Sequence, residues 1–334
     1  MVKTVCVRLT ILAGVAIGAA VIGAPAAQAE ALRDKWCSKV HLRFFVGGAE
    51  GDGFGTIVYN GARQAANDTG AQVDYVFSGW ANEKMTQQLR EAVAAHPDGI
   101  AMMGHPGEAA IVPLAQAADK AGIKMMYQNV PVPAAVAKVG GGYVGAQLGP
   151  QGHALGVEMV RRFGFKAGDL AIVLGAFDDS NRAAREDSTA KALEEAGMKV
   201  IRVNSPPEWA ADPNLGIPVI TAALQANPTA KTILYSGGQL LGNVPAYMKA
   251  AGKKPGEIIN VGFDTSPQVI AGFDSGWVQL TADQQPFMQG YMPILSLCQT
   301  VIYGLAPINV DTGAGFVTPE NYKAVAGLAG EGLR

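Results

Sequence analysis

The sequence carries no strong excess of either charge, and this balance argues against one class of partner. Its 334 residues include 26 basic and 28 acidic side chains, which leaves a formal net charge of −2. Domains that bind nucleic acids usually carry a marked positive charge. We therefore expect no nucleic acid partner.

Histidine and cysteine are scarce, and their spacing is not that of metal ligands. The four histidines, His41, His96, His105 and His153, form no His-x-x-x-His pair, and the chain has no Cys-x-x-Cys. No Gly-x-Ser-x-Gly elbow occurs. The glycine-rich stretch at 51–55 lacks the spacing of a dinucleotide fingerprint. We therefore expect no metal site and no cofactor.

An apolar run near the N-terminus, Leu9–Ile22, is too short to span a membrane comfortably. It follows the basic residues Lys3 and Arg8 and precedes the small-residue stretch at 27–29. This order is typical of a secretory signal peptide, residues 1–29, with cleavage after Ala29. Cleavage would leave an exported chain of 305 residues, with a formal net charge of −4.

Two cysteines, Cys37 and Cys298, would remain after cleavage. In an oxidising compartment such a pair can form a disulfide, and two separate buried thiols are the alternative. The sequence does not reveal whether the two Cα atoms lie close enough to be bridged. Both interpretations stay open at this point.

Short apolar runs alternate with amphipathic segments through the rest of the chain. Strands are predicted at Val40–Val46, Gln72–Phe77, Gly99–Met103 and Lys124–Gln128, each followed or preceded by a helix. The alternation breaks at Pro131–Gly142, which we predict to be irregular, and then restarts. Such alternation predicts parallel sheets with helices on both faces, and the length suggests two domains. We therefore predict an α/β protein with a cleft between two similar halves.

Polar residues follow two successive predicted strands in the last third of the chain. Ile258–Phe263 ends at Asp264, and Trp277–Ala282 continues into Asp283-Gln284-Gln285-Pro286. Open α/β sheets place ligand sites at the carboxyl ends of their strands. The alternative is that Asp264 only caps the next helix and that the glutamines are solvated.

The chain resembles the ribose/galactose-type periplasmic sugar-binding proteins of bacterial ABC importers, the type I periplasmic binding proteins. The resemblance rests on Val-Gly-Phe-Asp at 261–264, Asp-Gln-Gln-Pro-Phe-Met-Gln-Gly at 283–290 and the order of elements behind the signal peptide. It covers essentially the whole mature chain. It implies two doubly wound parallel-sheet domains joined by a three-segment hinge, with a monosaccharide in the cleft.

By this resemblance the N-terminal lobe comprises residues 30–145 and 283–308, and the C-terminal lobe comprises 146–282 and 309–334. Cys37 and Cys298 would then share a lobe, which favours a disulfide without deciding the matter. The helix predicted at Phe287–Tyr303 would also belong to the N-terminal lobe.

The implied function is that of a monomeric periplasmic solute-binding protein, which binds its ligand without catalysis and is not an enzyme. It would capture a monosaccharide, polyol or amino sugar by hinge closure and deliver it to an ABC transporter permease. A sensor module that serves a chemoreceptor or kinase is the first alternative. An exported enzyme acting on glycosides, with two carboxylates as its catalytic pair, is the second.

A sugar site needs planar polar groups for the hydroxyls and aromatic faces for the C–H patches. Residues of these types follow the predicted strands and match the positions that the resemblance implies. The candidate ligand-binding residues are Asp52, Phe54, Trp80, Asn129, Asp178, Arg182, Arg185, Trp209, Gln239, Asp264 and Gln284.

Several of these assignments have an open alternative. Arg182 and Arg185 compete for one role, and we favour Arg182 with Asp178 beside it. Trp209 is expected to pack either on a sugar face or on the domain wall. Gly237-Gly238 stands where the family commonly has an Asn-Asp pair, so either a larger ligand fills that space or Gln239 substitutes. The many acidic candidates also allow a cationic amino sugar.

Overall fold

The computed structural model describes residues 34–178, 182–313 and 315–334. The predicted signal peptide, residues 1–29, lies outside these described residues. Within them, strands and helices alternate to build two six-stranded sheets. Across the described ranges, no helix combines the length and the apolar character needed to cross a bilayer.

The first sheet has the strand order β11-β5-β4-β3-β1-β2, and all its pairings are parallel. Its strands are β1 His41–Phe45, β2 Gln72–Val76, β3 Gly99–Met103, β4 Lys124–Gln128, β5 Gly142–Gly145 and β11 Val310–Asp311. All five residues of β3 are buried. A central strand of a parallel sheet has both faces covered, which is why an unbroken apolar run suits it.

Five helices accompany this sheet: α1 Gly53–Thr69, α2 Asn82–Ala94, α3 Glu108–Lys120, α4 Pro133–Val139 and α12 Pro286–Tyr303. Helices α1 and α12 pack closely at Gly61. A Cβ at this position would lie 2.0 Å from the Phe287 carbonyl oxygen, so the close approach requires glycine. Helix α4 lies within the segment that we predicted to be irregular. Its Pro133 occupies the first turn, where proline favours the start of a helix.

The second sheet has the order β12-β10-β9-β8-β6-β7, and only its β10–β12 pairing is antiparallel. Its strands are β6 Leu170–Gly175, β7 Lys199–Asn204, β8 Ala230–Tyr235, β9 Ile259–Phe263, β10 Leu280–Ala282 and β12 Phe316–Val317. Strand β10 is shorter than predicted. The Gln279 side chain accepts the Asn260 backbone N–H at 2.7 Å, although the Gln279 backbone N–H still donates to the Asn260 carbonyl at 3.0 Å.

The helical segments around this sheet are α5 Leu148–Phe163, α6 Ala184–Glu195, α7 Glu208–Ala211, a 3₁₀ turn Pro213–Gly216, α8 Ile217–Ala226, α9 Gly238–Gly242, α10 Val244–Ala250, α11 Pro267–Asp274 and α13 Lys323–Gly330. Consecutive residues of β6 pack on opposite faces of the sheet. Ile172 belongs to one core cluster and Val173 to another. Gly152 lets α5 approach α6 closely, since its Cβ would lie 2.0 Å from the Arg185 carbonyl oxygen. This contact positions the first turn of α6.

The chain passes from the first sheet to the second between β5 and β6, returns between β10 and β11, and leaves again between β11 and β12. The prediction of an α/β fold with two parallel-dominated sheets is confirmed, whereas the exact lobe boundaries stay a prediction. The segment before β1 is joined to α12 by a disulfide between Cys37 and Cys298, whose Cα atoms lie 5.8 Å apart.

Candidate functional site

A cavity of about 130 Å³ lies where the carboxyl ends of strands from both sheets meet. From the first sheet, Trp80, His105 and Asn129 line it, in the loops that follow β2, β3 and β4. From the second sheet, Asp264 follows β9 directly, and Arg185 lies in the first turn of α6. The parallel order of both sheets brings these sequence-distant residues together.

Three of the lining residues have a backbone conformation that residues other than glycine rarely adopt. The φ angles are +61° at Trp80, +65° at Asn129 and +71° at Asp264. Non-glycine residues in this left-handed region are uncommon, and Asn and Asp tolerate it best. Such strain persists only where the surrounding structure holds it in place, and it concentrates at functional sites.

Asp264 is 4% exposed, and both its carboxylate oxygens accept hydrogen bonds. Oδ2 accepts the Gly238 backbone N–H at 3.1 Å, and Oδ1 accepts Gln284 Nε2 at 2.5 Å. Burial raises the pKa of Asp264, although the Arg185 charge and these two hydrogen bonds act in the opposite direction. The carboxylate is therefore a fixed and strongly desolvated acceptor at the wall of the cavity.

Arg185 is held in place on three sides. Its guanidinium lies 3.8 Å from the centroid of the Phe263 ring and donates to the Ser236 carbonyl at 2.9 Å. It also pairs with Glu186 at 3.4 Å. Burial raises the pKa of Glu186, and the Arg185 charge opposes this shift. A planar cation fixed in this manner can offer hydrogen bonds to two neighbouring oxygens of a ligand.

A chain of amide hydrogen bonds connects the cavity to the crossing segments. Asn129 Nδ2 donates to Gln289 Oε1 at 3.0 Å, and Gln289 Nε2 donates to Thr312 Oγ1 at 3.1 Å. Gln289 Nε2 also donates to Gln284 Oε1 at 3.1 Å. The Tyr143 hydroxyl lies 2.8 Å from the Asn129 carbonyl oxygen and 2.9 Å from that of Ala146, and it donates its single proton to one of them at a time. Site residues and crossing segments therefore share one buried polar network.

Aromatic rings form the other side of the cavity. The centroid of the Trp80 ring lies 5.9 Å from that of Phe54 and 5.2 Å from that of His105. Burial, assisted by the charges of Arg182 and Arg185, lowers the pKa of His105 to about 3. His105 is therefore neutral at physiological pH, and its Nδ1 has no hydrogen-bond partner among the described residues.

The structure brings most of the predicted ligand-binding residues to this cavity. Those that line it are Phe54, Trp80, Asn129, Arg182, Arg185, Gln239, Asp264 and Gln284. Both competing arginines are among them, so the cavity wall does not decide between the two.

Three predicted residues do not line this cavity. Asp52 caps α1 by accepting the Gly55 N–H at 2.6 Å, and its other oxygen accepts Trp80 Nε1 and Gln239 Nε2. Asp178 is exposed and accepts Asn204 Nδ2 at 2.5 Å. Trp209 is buried in the core of the second sheet, beside Gly216.

Sequence reasoning missed His105, Glu186, Ser205 and Ser236, which also line the cavity. Ser205 and Ser236 come directly after β7 and β8, and His105 follows β3 by one glycine. The rule that located Asp264, a polar residue after a parallel strand, would have found these three. Glu186 has no such signal, because its position in the cavity depends on how α6 packs.

Among the residues that the structure describes, no group of three His, Cys, Asp or Glu side chains could hold a metal ion. The cavity thus presents carboxylates, guanidinium groups, amides and aromatic rings. These groups can bind a polar, hydroxylated molecule.

Residues 44–302 match the periplasmic binding protein domain family, and the chain belongs to that family. This confirms the resemblance found in the sequence. The related proteins are binding proteins, in agreement with the expectation that the chain is not an enzyme.

Two relatives align with parts of the chain. A xylose/arabinose-binding protein of Sulfolobus acidocaldarius is 37% identical over 71 residues, which are 20% of this chain and 17% of that protein. The D-allose-binding periplasmic protein of Escherichia coli is 26% identical over 180 residues, which are 53% of this chain. The second alignment spans 57% of that relative's length.

A solved structure extends the likeness to nearly the whole fold. A carbohydrate transporter from Acidothermus cellulolyticus, in complex with myo-inositol, superposes with a TM-score of 0.75 at 23% identity. The match covers 88% of this chain and 99% of that one. At this identity the likeness establishes a shared fold.

Proposed function

We propose that this protein is a periplasmic solute-binding protein that captures a monosaccharide, or a related polyol or amino sugar, in the cavity between its two sheets. The observation that carries the proposal is the pairing of Asp264 and Arg185 with the rings of Phe54 and Trp80. Fixed charged groups suit the edge of a sugar, and rings suit its C–H faces. The relatives that bind xylose or arabinose, D-allose and myo-inositol support this ligand class.

In the proposed mechanism, the two sheet-centred lobes close on the sugar about the crossing segments. Each lobe contributes part of the wall, so a ligand that contacts both stabilises the closed form. The buried amide network of Asn129, Gln284 and Gln289 lies at these crossings, where it would orient the lobes. The closed protein then delivers the sugar to the permease of an ABC transporter.

The location belongs to the same proposal. The family is periplasmic, and the predicted signal peptide at 1–29 would direct export. A monomer is sufficient for the proposed mechanism, because both walls of the cavity come from one chain.

A thermal-shift screen tests the ligand class. The full chain is expressed with its own N-terminal segment, purified from the periplasm and heated with D-xylose, L-arabinose, D-allose, myo-inositol, glucosamine or glucuronate. A true ligand at about 100 times its Kd should stabilise the fold by about 2.7 kcal/mol. The shift should disappear in Asp264→Asn and persist in Asp178→Asn, which alters an exposed carboxylate outside the cavity. Absence of any shift across the panel would contradict the assignment to sugars.

A further inference from the structure

A second and larger cavity, of about 470 Å³, adjoins the first. Phe54, Trp80, Ala210, Gln239 and Asp264 line both spaces. The two cavities are therefore neighbours with a shared wall, and a ligand longer than one sugar ring could contact both.

Side-chain hydrogen bonds hold part of this shared wall in place. Gln239 Nε2 donates to Asp52 Oδ2 at 3.1 Å, and Trp80 Nε1 donates to the same oxygen at 3.0 Å. Asp52 caps helix α1 beside the first sheet, and Gln239 lies in α9 beside the second. This contact links the two sides of the cleft through side chains, which can change rotamer without moving the backbone.

The backbone next to Gln239 carries no side chains at the boundary between the two cavities. Gly237 lines the first cavity and Gly238 lines the second, so two consecutive residues pass from one space to the other without a side chain. A Cβ on Gly238 would lie only 3.1 Å from Asp264 Cβ. Larger residues at these two positions would crowd the space that Asp264 and Gln239 now occupy.

The charge of the second cavity differs from that of the first. Its lining includes the carboxylates Glu50, Asp52 and Asp264, but none of the described residues that line it is basic. Thr265 and Ser266 add hydroxyl groups to the same wall. The cavity is therefore suited to a neutral or cationic hydroxylated group and unsuited to an anion.

We infer that the second cavity is a subsite for a second sugar ring, so that the protein accepts a disaccharide-sized glycoside whose first ring lies between Asp264 and Arg185. The inference rests on the proposed sugar-binding function and extends it from one ring to two. The second ring is neutral or cationic, and it displaces the Gln239–Asp52 hydrogen bond by offering its own hydroxyl groups to both side chains.

Calorimetric titration of matched ligand pairs tests the inference. The pairs are D-xylose with xylobiose, D-glucose with cellobiose and D-galactose with lactose, and lactobionate serves as the anionic counterpart of lactose. Two variants are compared with the unaltered full chain. Ala211→Trp fills the second cavity, because Ala211 is exposed, lies in α7 and lines only that space. Gln225→Trp places the same ring on an exposed site of α8 that lines neither cavity.

The inference predicts that at least one disaccharide binds about tenfold more tightly than its monosaccharide, roughly the effect of 1.4 kcal/mol. Ala211→Trp should remove that advantage and leave the monosaccharide affinity unchanged, and Gln225→Trp should alter neither. Lactobionate should not bind more tightly than galactose.

Each other outcome is decisive as well. Tight binding of monosaccharides without a gain for any disaccharide, or a gain that survives Ala211→Trp, would overturn the second subsite and leave the proposed function intact. Failure of every sugar in the panel to bind would overturn the proposed function, and the second subsite with it.

Discussion

The two walls of the first cavity differ in chemistry, although they come from sheets of the same topology. The wall from the first sheet consists mainly of rings and an amide, with Phe54, Trp80, His105 and Asn129. The wall from the second sheet holds the charged groups Arg182, Arg185, Glu186 and Asp264. In the proposed function, the second wall accounts for most of the hydrogen-bonding energy and the first wall for shape and desolvation.

The charged wall should produce the largest effect on mutation. Asp264→Ala removes a buried acceptor and leaves the Gln284 amide and the Gly238 N–H without their partner. It also places alanine at a φ of +71°, which disfavours residues other than Gly, Asn and Asp. We expect the affinity for the best sugar of the thermal screen to fall by roughly 100-fold or more in calorimetric titration.

The control for this prediction is Asp178→Ala, which removes an exposed carboxylate that follows β6 and does not line the cavity. Its affinity should stay within about twofold of the unaltered protein. Equal losses in the two variants would show that the general acidity of this region, and not Asp264 itself, attracts the ligand.

The disulfide distinguishes the two halves in stability. Cys37 and Cys298 both lie in the core of the first sheet, and the sequence has no cysteine between them. We expect the Cys37→Ser, Cys298→Ser double variant to lose about 2–4 kcal/mol in free energy of unfolding. Amide hydrogen exchange followed by mass spectrometry should show that, relative to the unaltered protein, exchange accelerates more in β3 of the first sheet than in β8 of the second. Equal acceleration in both strands would mean that the halves unfold as a single unit.

His105, in the aromatic wall, should make the stability of the protein decrease in acid. Its folded pKa of about 3 lies below the ordinary value of 6.5, so between these values the unfolded chain binds a proton that the folded chain does not. The free energy of unfolding should therefore fall as the pH drops below 6.5, by up to about 1.4 kcal/mol per pH unit from this residue. His105→Gln should flatten that part of the profile in urea denaturation between pH 7 and 5.

The half-exposed His153 offers a matched control, because it lies on the surface of α5 beside Glu195. The flattening expected for His105→Gln should exceed any change that His153→Gln causes. If both variants retain the same acid sensitivity, groups other than His105 cause it.

The smallest effect is expected for a change of shape on the aromatic wall. Phe54→Leu keeps an apolar side chain but removes the ring that packs beside Trp80. We expect sugar affinity to fall by about five- to tenfold, since ring contacts contribute about 1 kcal/mol beyond their area. Phe163→Leu, which alters a ring near Phe165 outside the cavity, should not change the affinity. A loss as large as that of Asp264→Ala would reverse the proposed division between the two walls.

Much of the fold follows from local patterns in the sequence. Alternating apolar and amphipathic segments indicated the parallel sheets, because a buried strand and a helix differ in hydrophobic period. The prediction for Pro131–Gly142 was wrong, since Pro133 begins a helix where we expected an irregular chain. The strand before Ala282 was predicted too long because the contacts of Gln279 with Asn260 depend on packing.

The sequence by itself determined which kinds of side chain would stand at the carboxyl ends of the strands, because that position follows directly from strand order. Asp264 and Asn129 could be selected on this basis. Only the tertiary structure decided how these groups are used. It linked Asp52 to Gln239, buried Trp209 in a core, and brought Glu186 into the wall of the cavity. These roles depend on distances between residues far apart in the chain, which no local pattern encodes.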